Sequence, residues 1–169
     1  LGSAAVGSQT ITNIGSLEIS DGSSSASNYS LTGTLSMAIT KRSVTVTGSK
    51  FYDGTTNAAA SNLTSFTNLV SGETLSLSGI GSVASSSVGN NKSVSHQTLT
   101  LANGSGAASN YSLGNVTINI NQRILSLDGI RVFDGNTTVS SSDISTFGNI
   151  VSGESLILLG SGTVTNTNA

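Results

Sequence analysis

The chain repeats itself, and that limits its architecture more than any other feature. Residues Arg42–Val83 align without a gap on Arg123–Val164, a shift of 81. Tyr52-Asp53-Gly54 falls on Phe133-Asp134-Gly135, and Val70-Ser71-Gly72-Glu73 on Val151-Ser152-Gly153-Glu154. A second match, shifted by 82, places Ala26-Ser27-Asn28-Tyr29-Ser30-Leu31 on Ala108-Ser109-Asn110-Tyr111-Ser112-Leu113. Leu17 and Ile19 fall on Leu99 and Leu101, and Val6-Gly7 on Val88-Gly89. The division that follows is the C-terminal half of a unit at 1–40, a whole unit at 41–121, and the N-terminal half of a third at 122–169.

Each unit reads as β-strands. Val44 and Val46 alternate with Ser43, Thr45 and Thr47, while Val116, Ile118 and Ile120 alternate with Thr117 and Asn119. Apolar residues at every second position, many of them β-branched, mark half-buried strands. Asp-Gly at 21–22, 53–54, 128–129 and 134–135, with Asn103-Gly104, supplies turn chemistry between them. Six or seven short strands in some 80 residues predict an all-β fold of tandem immunoglobulin-like β-sandwich units in an elongated array. The alternative is a β-grasp-like unit with a helix at Asn57–Phe66. The copy of that stretch, Thr138-Val139-Ser140-Ser141-Ser142, is a poor helix former, so extended or irregular backbone is expected in both.

Composition then removes whole classes of function. Of 169 residues, 91 are Ser, Thr, Gly or Asn, and only 14 are charged. Without cysteine there is neither a disulfide framework nor a thiolate metal site. Six basic residues against eight acidic ones are too few for a nucleic-acid surface. No apolar run approaches the roughly 18 residues of a membrane-spanning helix. The lack of cysteine is consistent with an extracellular bacterial protein, and the scarcity of Lys, Glu and Arg points away from an ordinary cytosolic enzyme.

The few charges recur. Arg42, Lys50, Asp53 and Glu73 reappear as Arg123, Arg131, Asp134 and Glu154. A calcium site needs several clustered oxygen ligands, and no Asp-x-Asp run exists, so no metal or cofactor is expected. The set reads instead as an ion pair beside an Asp-Gly turn whose carboxylate caps backbone amides. Catalysis has little to stand on: the one histidine, His96, falls opposite Ile14 in the preceding unit. The repeat-equivalent aromatics Tyr52/Phe133, Phe66/Phe147 and Tyr29/Tyr111 read as core residues, and Tyr111 also fits a tyrosine corner.

Val46-Thr47-Gly48-Ser49-Lys50-Phe51-Tyr52-Asp53-Gly54-Thr55-Thr56, followed by Val70-Ser71-Gly72-Glu73, Val88-Gly89 and Asn110-Tyr111-Ser112-Leu113, resembles the YDG-type repeat. That repeat belongs to large bacterial surface adhesins, including filamentous-haemagglutinin-like exoproteins. Phe133 replaces its tyrosine, and Glu73 and Glu154 stand where Asp is usual. The resemblance implies a secreted or surface-attached stalk, fibre or sheath with no catalytic residues. The expected partners are neighbouring repeats or other copies of the chain, and exopolysaccharide in the alternative reading of a glycan-binding module. With one half unit at each end, residues 1–40 of one molecule are expected to complete the unit begun by 122–169 of another, head to tail.

Overall fold

A computed structural model describes residues 5–33 and 35–165. Residues 1–4 and 166–169, the ends of the two segments expected to be half units, lie outside it, as does Thr34. The fold is all-β, and among the described residues the only helical turns are short 3-10 pieces. Strands β1 (Gly7–Ile11) and β2 (Leu35–Ile39) precede eight strands of the central unit. These are β3 (Arg42–Phe51), β4 (Asn57–Ala59), β5 (Ser65–Thr67), β6 (Leu75–Ser78), β7 (Ile80–Val83), β8 (Gly89–Ser95), β9 (Thr100–Asn103) and β10 (Tyr111–Asn121). Four more follow: β11 (Ser126–Gly129), β12 (Thr138–Ser140), β13 (Ile144–Gly148) and β14 (Ser161–Thr163). The Asn57–Phe66 stretch is strand, one 3-10 turn at Ala60–Asn62, then strand, so no α-helix forms there.

The first and last strands of the central unit lie side by side. A curled six-stranded sheet runs in the order β4-β7-β8-β10-β3-β5. Its interior neighbours β3 and β10 are parallel, and each has an antiparallel partner on its other side, β5 and β8. Immunoglobulin-like sandwiches are built from antiparallel sheets, so this parallel pair departs from that pattern. A bulge between Leu113 and Val116 shifts the register on β3, so the buried side changes from odd-numbered Tyr111 to even-numbered Val116, Ile118 and Ile120. The β6–β9 ribbon lies against the 60–62 turn and against β10.

All hydrophobic residues buried among the described ones fall between Val44 and Ile120, forming one core cluster. Gly48 is required by this packing. A Cβ there would strike the backbone carbonyl of Asn62, and a Cβ at Gly129 would strike that of Asp143 in the same way.

The outer segments repeat several of these pairings. Ile120 pairs with Gly89, and Ile39 with Gly7. Val46 pairs with Phe66 and Leu127 with Phe147, while Ala58 pairs with Gly81 and Val139 with Gly162. The difference is burial: Val46 is 0% exposed and Leu75 8%, whereas their equivalents Leu127 and Leu156 are 45% and 53% exposed. Residues 122–165 have no counterpart of β8, β9 and β10 over them.

Candidate functional site

Three polar arrangements stand out, and two of them recur at the repeat spacing. The first gathers a cation and an Asp-Gly turn. β3 carries Lys50 inward, where it is buried, and its Nζ donates to Asp53 Oδ1 at 2.8 Å and to the Thr55 and Asn57 carbonyls at 2.9 and 2.7 Å. Asp53 Oδ1 also accepts from the Thr55 N–H at 2.9 Å, the capping expected of such a turn. Partial burial pushes the Asp53 carboxyl up, but the hydrogen bonds from Lys50 and Thr55 outweigh it and hold the group below its ordinary value. In the third unit Arg131 lies 3.4 Å from Asp134 and donates to the equivalent carbonyls, those of Asn136 and Thr138. The Asn136 N–H caps Asp134 and is the main reason its carboxyl is also held low. Arginine thus replaces lysine without losing the acceptors.

The second arrangement involves residues that sequence reasoning passed over. Arg42 does not approach Asp53; its Nε and Nη2 donate to the carbonyl and Oδ1 of Asn68 at 2.8 and 3.0 Å. Asn68 Nδ2 donates to the Ser43 carbonyl. Arg123, Asn149 and Ile124 repeat these contacts. Both asparagines have positive φ, 65° and 64°, a conformation asparagine tolerates better than most residues. The signal was available, since Asn68 aligns identically on Asn149.

The third arrangement centres on the glutamates. The Tyr111 hydroxyl donates to Glu73 and accepts from the Val70 N–H at 3.2 Å. Its backbone partner is thus 41 residues upstream, on the Val-Ser-Gly-Glu turn. Glu154 takes its phenol from a different unit: Tyr52 donates to it across the boundary between 41–121 and the third unit. Each glutamate raises the pKa of the tyrosine that binds it, chiefly through that hydrogen bond.

Tyr52, Val88, Arg123, Val151, Glu154 and Leu156 line a cleft of about 570 Å³ at this boundary. Arg123 Nη1 reaches the Tyr52 carbonyl at 3.4 Å. Equivalent positions meet at the other boundary, where Val6, Arg42, Val70 and Glu73 line a cleft with Asn110 and Tyr111. There the Val6 N–H donates to Asn110 Oδ1 at 3.1 Å.

The aromatics expected in the core divide in two. Tyr111 is buried, and Tyr52 and Phe66 pack against the core. Tyr29 and Phe133 are exposed, the latter by 68%, because the strands that would cover them are not packed there. Gly54 and Gly135 both adopt positive φ, 77° and 78°, as their turns require. Among the described residues no three His, Asp or Glu side chains group as metal ligands, and no helix is long and apolar enough to cross a membrane.

The model of the YDG domain family matches residues 38–120, a span that takes in β3 through nearly all of β10. No curated protein and no solved structure matches the chain.

Proposed function

We propose, from the premise that residues 38–120 are a YDG domain, that this chain is a structural and adhesive extracellular repeat protein. It forms part of a bacterial surface fibre, stalk or sheath and catalyses no reaction. The observation that carries this reading is the recurrence, at the repeat spacing, of strand pairings and of two polar arrangements, the cation beside the Asp-Gly turn and the arginine on its asparagine. A chain whose polar side chains are committed to joining and capping its own backbone is suited to bearing load. Tandem units that each contact only their neighbours build an elongated array. Within a unit, the parallel first and last strands depart from the immunoglobulin-like sandwich, while the strands and 3-10 turn at 57–67 lack the helix of the β-grasp-like alternative.

The test is location and shape. Antibodies against the chain should label intact cells that express it, and labelling only after permeabilisation would overturn the surface reading. In small-angle scattering, a chain extended by further copies of 41–121 should lengthen in proportion at constant cross-section. A particle that grows in all dimensions would contradict the fibre.

A second reading, an exopolysaccharide-binding module, is favoured by one observation. The boundary cleft sets the Tyr52 ring beside Gln122, Arg123 and Glu154, groups that can stack on and hydrogen-bond a sugar. Specific retention on a glycan array, lost in Arg123→Ala, would support it.

A further inference from the structure

We infer that the Tyr-Asp-Gly loop and the Val-Ser-Gly-Glu turn are knob and socket of a coupling that fixes each unit on the next. The inference rests on the repeat reading above and specifies what the two motifs do in it.

The chain holds the same loop in two states. At 52–54 the loop is seated: Tyr52 donates to Glu154, and a Cβ on Gly54 would lie 3.0 Å from Val151 Cγ1. At 133–135 it is free: Phe133 is largely exposed, and a Cβ on Gly135 would meet nothing within 4 Å. Loop conformation does not account for the difference, since the glycine φ values agree and both aspartates cap the residue two positions on. What differs is what the loop meets: Val151 and Glu154 stand beside 52–54, and no described residue stands within 4 Å of a Cβ on Gly135.

The socket also occurs twice. Val151 and Glu154 are filled by Tyr52, whereas Val70 and Glu73 line an open cleft with Arg42 and Val6. Glu73 is bound by Tyr111 of its own unit, which leaves a carboxylate oxygen to accept a second phenol. The occupant of that open socket is the tyrosine of a Tyr-Asp-Gly loop on a preceding unit. Adjacent units in a chain move relative to one another unless their interface holds them. A hydrogen bond, an apolar contact at Val151 and the Arg123 contact to the Tyr52 carbonyl together restrict that motion.

The absence of cysteine makes the experiment clean. Spin labels at Ser93→Cys in β8 and Thr146→Cys in β13, both exposed, report the distance between the central unit and residues 122–165 by pulsed electron resonance. The coupling predicts one narrow distribution that broadens about twofold in Tyr52→Phe with Val151→Lys, as released units regain their default relative motion. Tyr111→Phe, which acts inside one unit, should leave the width unchanged. Circular dichroism melting checks that the central unit stays folded in each variant. A broad distribution in the parent chain, or an unchanged one in the double variant, would overturn the coupling. Either result would leave the scattering and labelling outcomes of the fibre reading untouched, so the two can fail separately.

Discussion

At the scale of single residues, the central unit is tied by two carboxylates with different jobs. Asp53 closes its turn by accepting from Thr55 and Lys50. Asp53→Ala should lower stability by about 1–2 kcal/mol, the usual cost of a lost cap, as read by denaturant unfolding. The carboxyl's folded pKa lies below its unfolded one. Its contribution is therefore complete above the unfolded value near 3.8 and is lost as pH falls through the folded value. Acid unfolding of Asp53→Ala should accordingly be less steep than that of the parent. Tyr111 behaves in the opposite sense. Its pKa is raised by the bond to Glu73, so its contribution is complete below pH 10 and is lost as pH rises through the folded value. Tyr111→Phe should lower the melting temperature at neutral pH and flatten the alkaline limb of the stability curve. An unchanged alkaline limb would show that the hydroxyl does not matter.

At the scale of elements, the close approach of the 60–62 turn to β3 is the least forgiving contact. The Asn62 carbonyl occupies the space that any side chain at position 48 would need. Backbone cannot rotate away as a flexible side-chain end can, so Gly48→Ala must displace the turn and with it the buried Leu63. Loss of cooperative melting is the expected result. The equivalent Gly129→Ala should disturb only residues 122–165, because the core between Val44 and Ile120 does not depend on that turn. Amide exchange resolved along the chain distinguishes the two. Protection that falls equally in both variants would mean that the outer segment supports the core.

At the scale of the whole molecule, the 122–165 segment presents apolar side chains whose repeat equivalents are buried. Leu127 and Leu156 lie open where Val46 and Leu75 are covered. Residues 5–33 and 35–40 carry the complementary elements, and the β1–β2 pair Gly7/Ile39 matches the β8–β10 pair Gly89/Ile120. Head-to-tail association through these faces is the expected behaviour of the 169-residue chain. Sedimentation should show mass increasing with concentration, and Leu127→Asp with Leu156→Asp should return it to monomer. Both substitutions fall at exposed positions, so folding of the central unit is spared. A parent chain that stays monomeric at high concentration would remove this contact.

The sequence by itself determined what is local or recurrent. Alternating Val, Ile and Leu with Ser and Thr set the strands, and Asp-Gly set the turns at 53–54 and 134–135. Asp128-Gly129, expected as a turn, is instead paired inside β11 because its neighbours are held against β13. Lys50 and Asp53 are three residues apart, so their pairing could be anticipated from spacing. A period of two assigns faces, however, and not neighbours or directions. Many alternating strands of similar composition can pair with one another equally well on paper. That β3 lies parallel to β10, with a bulge reversing which residues point inward, depends on the whole sheet closing over one core. The same holds for the tyrosines. Tyr111 reaches Glu73 from 38 residues away and Tyr52 reaches Glu154 from 102, distances that only tertiary packing spans. Repetition said that Tyr52 and Glu73 each had a counterpart. Which glutamate each tyrosine would meet was decided by the arrangement of units in space.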